Sequence, residues 1–571
     1  MLFAAFRWLD RRKSETGETR EEARSSLVGK NVGWRSDVQT EIEDAASFSN
    51  KGNDVPPLEE VSESGTLTRR VCILGLAAMW LTGLATIIYG SIVQSSTNDT
   101  HDHWGPSFTH KRAIGPFVQL AMAFWITLLT DIAGLVHSTS LRFSLLARRK
   151  LTFNSNLRLF TSCPNSVVHS WPVNVIWGWS LISSYACGSM VIVESVKQYS
   201  DPGELGFHTY DIVSGYALIF LGFGLLGQAS IATWALVVCK FSTWSTNPIN
   251  TAKVCRDLGW LKPLTRRTML SVHDTQTLGL HDSPSLPKVR QGSLLKAHSN
   301  VRRALIFVWA VTAVAFLWFI AVTVAYQVGG QSIGPSWGTF SRSYTNDWSL
   351  IPDWVDVTAF IAISTSLGQS FYTFGPWFLC KYLLTCAFLG GITMDLHIVE
   401  LLVQCSRDES LWRQTASRSG LDESRQNGAF QVAIGSWETM ALFIFKTAVH
   451  WIFSMGFGPY WEGIEMRIPQ ICYLAVSLFL VSLLATYLGL RKPKGPQPAT
   501  FGHLPTLVDL IDVWPRQGGP NDGGRNDVEG GDEKPSLKLF WGDKGEGGDG
   551  FRRAGTAHMA LQPIVTTALY L

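Results

Sequence analysis

Val71 to Gln94 is a run of 24 residues without a single charge, and it opens directly after Arg69-Arg70. A bilayer core of roughly 30 Å takes about 20 apolar residues as helix. Comparable runs recur at about 114–137, 173–193, 212–238, 304–328, 357–375 (with a continuation to 404 left open), 431–455 and 468–490. Inside lipid the backbone of such a run must pair with itself, which makes each run a helix. The pattern predicts an all-α, polytopic transmembrane helix bundle of about eight spans. The lipid bilayer is then the one certain partner.

The polar segments between the runs divide sharply by charge. With residue 1 on the cytosolic side, the inner segments 1–70, 138–172, 239–303, 404–430 and 491–571 hold 41 Lys and Arg, against 5 in the outer segments. The clusters beside span ends, Arg69-Arg70, Arg148-Arg149-Lys150, Arg302-Arg303 and Arg491-Lys492, all fall inside, as the positive-inside rule requires. Both termini are therefore expected in the cytosol, in a plasma membrane or endomembrane that the sequence does not specify. The net charge of +3 is too small to argue for a nucleic-acid partner. The one Asn-x-Ser/Thr sequon, Asn98-Asp99-Thr100, falls in the first outer loop, so Asn98 is a candidate glycosylation site. All nine Cys fall in spans or inner segments, where no external disulfide forms.

The domain organisation follows. Residues 1–70 are cytosolic and mostly disordered by composition; 71–238 hold spans one to four; 239–303 form a cytosolic loop. Residues 304–490 hold spans five to eight, and 491–571 form a cytosolic tail. The central loop and the tail also read as disordered, being rich in Ser, Thr, Pro and Gly. Within the tail, Leu504 to Trp514 alternates apolar and acidic residues at helical spacing. That predicts a short amphipathic helix near the membrane or against the bundle.

Several strings resemble an uncharacterised family of multi-pass integral membrane proteins of filamentous fungi. They are HSTSLRFSLL and LTFNSNLRLF after span two, TWSTNPINTA after span four, LHIVELLVQCSRDESLWR at 396–413 and ALFIFKTAVHWIF in span seven. FGHLPTLVDLID, LKLFWGDKG and RRAGTAHMALQPIVTTALYL lie in the tail. The resemblance implies a membrane bundle with a cytosolic tail, a fungal source and a possible link to a secondary-metabolite gene cluster. It implies no reaction. In the family a string like QSFYTFG runs almost directly into LHIVELL, whereas here Pro376 to Asp395 intervene. An unspliced intron or a re-entrant insertion would each explain that block.

Four ionisable groups within spans are the candidates for a functional centre: Asp131 in span two, and Glu438, Lys446 and His450 in span seven. A charge at mid-bilayer costs about 3 kcal/mol on insertion scales, so each needs a partner or a wet cavity. An Asp131–Lys446 or a Glu438–Lys446 bridge that fixes helix packing is one reading; a proton or substrate relay is the other. His397 and Glu400 sit at i,i+3 like half of a di-metal site, but no second acidic helix pair accompanies them. The polar set Asp99, His101, Asp102, His103 and His110 lacks metal-ligand spacing and reads as a solvated loop. Gly222-Phe-Gly-Leu-Leu-Gly227 matches a dinucleotide fingerprint in letters, but it lies inside an apolar span, where small residues serve close helix packing. No catalytic residue, cofactor site or metal site is assigned, and an enzyme is not expected. Two function classes stand: a transporter of a small molecule, or a receptor or scaffold acting through sites such as Arg11-Arg12-Lys13-Ser14 and Arg266-Arg267-Thr268.

Overall fold

The computed structural model describes residues 66–99, 107–108, 114–163, 166–201, 204–239, 241, 243–264, 266–277, 284–328, 358–362, 374–422, 435–460, 463–514 and 538–571. The expected disorder of 1–65, the histidines of the first outer loop and the Gly-rich stretch 518–533 lie outside them.

Eight long helices run through the described residues: α1 (Thr66–Asp99), α2 (Ile114–Ala147), α3 (Trp171–Met190) and α4 (Gly215–Val238) in the first half. After the short helices α5 (Pro248–Asp257), α6 (Val272–Thr277) and α7 (Leu294–Ala297) come α8 (Ser299–Val328), α9 (Phe374–Gln414), α10 (Trp437–Gly456) and α11 (Ile468–Leu490). A last short helix, α12, spans Leu504–Leu510. Seven of the eight, all but α3, are long and apolar enough to cross a membrane. The chain is a multi-pass membrane protein.

Helix α3 is largely enclosed by its neighbours in its second half, while Trp171, Ile176 and Trp179 of its first half are exposed. It packs on α4, α9, α2 and α10, and its Trp177, Leu181, Ser184 and Cys187 are fully buried. Some of its polar groups bond inside the bundle: Ser184 Oγ donates to Ser180 O at 2.8 Å, and Asn174 Nδ2 donates to Thr161 O at 2.9 Å.

The connections sort into two ends. At one end β1 (Ser107–Phe108) joins the hairpin of β2 (Ile192–Asp201) and β3 (Glu204–Val213) in the order β1-β3-β2. Strand β4 (Thr358–Ala362) likewise joins β6 (Phe457–Tyr460) and β7 (Gly463–Arg467) in the order β4-β7-β6. These strands come from the first, third, fifth and seventh connections. At the opposite end the second, fourth and sixth connections fold with the tail. Phe153 bridges His503, Arg290 bridges Lys494 and Ser285 bridges Tyr570. Strand β5 (Leu421–Asp422) pairs with β8 (Lys538–Glu546), which pairs with β9 (Arg552–Ala557). Connections at a hairpin end alternate strictly with connections at a folded end, so α3 runs between the two ends as the seven apolar helices do.

Three expectations need correction. Within 357–375 the described residues Thr358–Ala362 form β4, and the apolar helix there is α9, which begins at Phe374. Pro376 to Asp395 is the first half of α9, continuous with LHIVELL, and its Tyr382, Leu389, Thr393 and Asp395 are buried in the bundle. The apolar run from Trp377 to Met394 is the better helix former, whereas 357–375 is rich in β-branched and hydroxyl residues. Second, the described parts of the central loop and tail are ordered, with Ile249, Leu294, Leu539 and Tyr570 almost fully buried. Segments too polar to form separate cores share one. Third, the tail helix is shorter than expected, α12 ending at Leu510 rather than Trp514, and it takes the packed one of its two expected placements: Leu504, Leu507 and Val508 are fully buried, and the helix packs on α5 and β9. Asn98, expected in a loop, lies in the last turn of α1.

Candidate functional site: a buried lysine beside an arginine-lined cleft

Span-internal charges gather where α2, α9 and α10 meet. Lys446 projects from the middle of α10 with its side chain only 3% exposed. Its Nζ lies 2.7 Å from Asp131 Oδ1 on α2 and 3.5 Å from Glu400 Oε2 on α9. One ammonium thus joins three helices, and both carboxylates keep more than a quarter of their side-chain surface open. Of the two bridges expected, Asp131–Lys446 is present. Glu438–Lys446 is not: Glu438 lies in the first turn of α10, takes a hydrogen bond from Ser436 at 3.0 Å and sits 3.6 Å from Arg491. The offset of roughly 80° around the helix separates the two side chains.

His450, one turn from Lys446, is a packing histidine. Its Nδ1 lies 2.6 Å from Lys446 O, which fixes the proton on that nitrogen, so Nε2 accepts from Thr393 Oγ1 at 3.2 Å. The ring stacks on Tyr185 at 3.6 Å. Tyr185 in turn donates to Thr127 Oγ1 at 3.3 Å on α2. Four helices, α2, α3, α9 and α10, are therefore keyed by neutral hydrogen bonds and a ring stack beside the ionic centre.

Beyond Glu400 the polar chain continues into a cleft that the sequence reading missed. Glu400 Oε1 accepts from Gln404 Nε2 at 2.9 Å, and Oε2 lies 3.4 Å from His397 Nδ1. His397 Nδ1 is also 3.4 Å from Arg158 Nη2. The Arg158 guanidinium lies 5.8 Å over the Trp177 ring, and Trp177 stacks on His137 at 4.5 Å. His169, 4.9 Å from His137, is held by burial at a pKa of about 4 and is neutral at ordinary pH. Arg158 reaches this position because Gly134 has no side chain; a Cβ there would collide with the guanidinium.

The cleft lies between the last turns of α2, residues 154–160 and the middle of α9, with a cavity volume of about 70 Å³. Arg142, Arg158 and Arg407 line it with Glu400, Gln404 and His397. Arg407 leans on Asp408 at 3.4 Å. That carboxylate is also held by Asn154 at 2.9 Å and Ser155 at 3.2 Å. The polar stripe Asp131, Ser138, Arg142 on α2 and the stripe His397, Glu400, Gln404 on α9 have helical spacing, and they were the signal for the cleft. Arg158 carried no such signal, because it lies in a loop.

Among the described residues no group of three His, Cys, Asp or Glu side chains is arranged to hold a metal ion. His397 and Glu400 pair with each other and with Arg158 and Lys446. All nine Cys are free thiols. The fingerprint-like glycines serve packing: a Cβ on Gly222 would meet Gly83 O of α1 at 2.6 Å, and one on Gly227 would meet Ser180 Oγ of α3 at 2.5 Å. No family model matches this chain, and no curated protein or solved structure is significantly similar to it.

Proposed function

We propose that this protein is a permease-type membrane protein, not an enzyme, that moves a small solute through the cleft under control of the Asp131–Lys446–Glu400 centre. One observation carries the reading. A lysine with almost no exposed surface is shared between carboxylates on two other helices, and one of those carboxylates lines a polar cleft. A centre that served packing alone would need no opening. Glu400 can exchange Lys446 for a proton or for a ligand's cation, and the three helices that meet at Lys446 are then free to shift.

In this reading the folded, basic end faces the cytosol, both termini are cytosolic and Asn98 is a glycosylation site on the opposite face. The string resemblance adds a filamentous-fungal origin and a place near a secondary-metabolite gene cluster. The receptor or scaffold alternative draws on the size of the folded end, where three connections and the tail share one core.

Charge movement separates the two. Proteoliposomes adsorbed to a sensor membrane would be challenged with pH jumps and with a panel of small carboxylates, phosphates and amines. A permease gives transient currents that Lys446→Met abolishes. A scaffold gives none with either protein.

A further inference from the structure

We propose that the cleft is an oxyanion-binding site, built for a phosphate or carboxylate group. Four buried atoms in its lining make no hydrogen bond among the described residues: Arg142 Nε, Arg407 Nε, His397 Nε2 and Thr246 Oγ1. The two arginine atoms can only donate and the Thr246 hydroxyl can donate; His397 Nε2 donates in the tautomer whose Nδ1 accepts from Arg158. Buried polar atoms are nearly always satisfied, so four in one lining ask for an acceptor-rich occupant.

The charges agree. Arg142 is 6% exposed, yet its guanidinium meets only neutral acceptors: Asn154 Oδ1 at 2.9 Å, Ser245 O at 3.0 Å and Thr251 Oγ1 at 3.4 Å. Arg158 pairs with no carboxylate among the described residues; its contacts are His397 and the Trp177 ring. The one acid in the lining, Glu400, is already engaged by Lys446 and Gln404. Arg407 has Asp408 beside it at 3.4 Å, so Arg142 and Arg158 are the two guanidiniums of the lining that pair with no carboxylate among the described residues. Arginine forks match the paired oxygens of a phosphate or carboxylate, which a lone ammonium does not. Gly134 adds a further sign, since its missing Cβ is what leaves room for the Arg158 fork.

As a substrate site this rests on the permease reading; as a binding site it rests on the cleft alone. The oxyanion has two sources, a free anion or the headgroup of an anionic phospholipid. Purified full-length protein in neutral detergent would be melted with increasing inorganic phosphate or acetate, with chloride at equal ionic strength as the control. Parallel melts would use nanodiscs of phosphatidylcholine with and without phosphatidic acid. A saturable rise in melting temperature with phosphate or acetate, weakened about tenfold or more in Arg158→Gln and Arg407→Gln, identifies a free anion. No response to soluble anions, but stabilisation by phosphatidic acid that both variants lose, identifies a headgroup. Either supports the site. A rise equal to that in chloride, a rise unchanged in the variants, or no rise at all overturns it. Should the Gln variants fail to fold, Arg158→Lys, which keeps the charge and loses the fork, and Thr246→Val carry the same comparison. Binding without transport currents would remove the permease reading and leave the site; currents without binding would do the reverse.

Discussion

Lys446 shows how a membrane residue can be costly alone and useful in company. A buried ammonium is tolerated because Asp131 and Glu400 surround it, and removing it leaves two carboxylates facing each other. Lys446→Met should therefore destabilise the protein by about 3–5 kcal/mol. Asp131→Asn or Glu400→Gln in the same chain should restore part of the loss, whereas neutralising Glu438 should restore none. Detergent melting of the single and double variants checks this, and equal rescue by the Glu438 change would contradict the geometry. His503 is the corresponding residue at the folded end. Its Nδ1 accepts from the Thr506 N–H at the start of α12, an acceptor role open only to the neutral ring. Burial, with His298 nearby, holds it at a pKa of about 4. The folded pKa lies below the ordinary value near 6.5, so the stabilisation is complete above pH 6.5 and lost as pH falls towards 4. Hydrogen exchange across Leu504–Leu510 should speed up over that window, by an opening free energy of up to about 3 kcal/mol. His503→Asn, which caps without titrating, should flatten the dependence.

At the scale of elements, glycine decides how closely α1 and α4 approach. Gly83 meets Gly222, and Gly90 meets Gly215, seven residues further along each helix. In lipid, where apolar contact with a neighbouring helix gains little over contact with tails, such small residues supply the close packing that holds helices together. Gly222→Ala drives a methyl group against the Gly83 carbonyl, backbone that cannot rotate away. A loss of about 1–3 kcal/mol is expected. Alanine at Gly391, where no atom lies within 4 Å of the new Cβ, should be tolerated. Comparing the melting temperatures of the two variants is the check. A nucleotide-binding role for the same glycines would instead predict loss of ligand response without loss of stability.

For the molecule as a whole, the two ends argue for an even number of crossings. The second, fourth and sixth connections and the tail share one folded body, while the odd connections supply both three-stranded sheets of the opposite end. Tags at residues 1 and 571 should therefore be reached from the same side, both only after permeabilisation if the basic end is cytosolic. Tags reached from opposite sides would mean that α3 does not cross.

The sequence by itself determined the class and most of the spans. Charge-free runs of about 20 residues have one stable solution in a bilayer, and the Lys and Arg imbalance divides the loops between two faces. It also pointed to Lys446 and Asp131, because a charge inside an apolar run stands out without any knowledge of its neighbours. Tertiary structure decided the rest. Whether 357–375 or 377–394 becomes the sixth crossing depends on which run the other helices can surround, and α9 wins by burying Tyr382, Leu389 and Thr393. Glu400 rather than Glu438 became the second partner of Lys446 because partner choice across helices depends on relative rotation, which no single helix encodes. Arg158 reached the cleft from a loop, where periodicity carries no information. The central loop and tail read as disordered because each is too poor in apolar residues to fold alone; assembled, they bury Leu294, Leu507 and Tyr570 in one another's company.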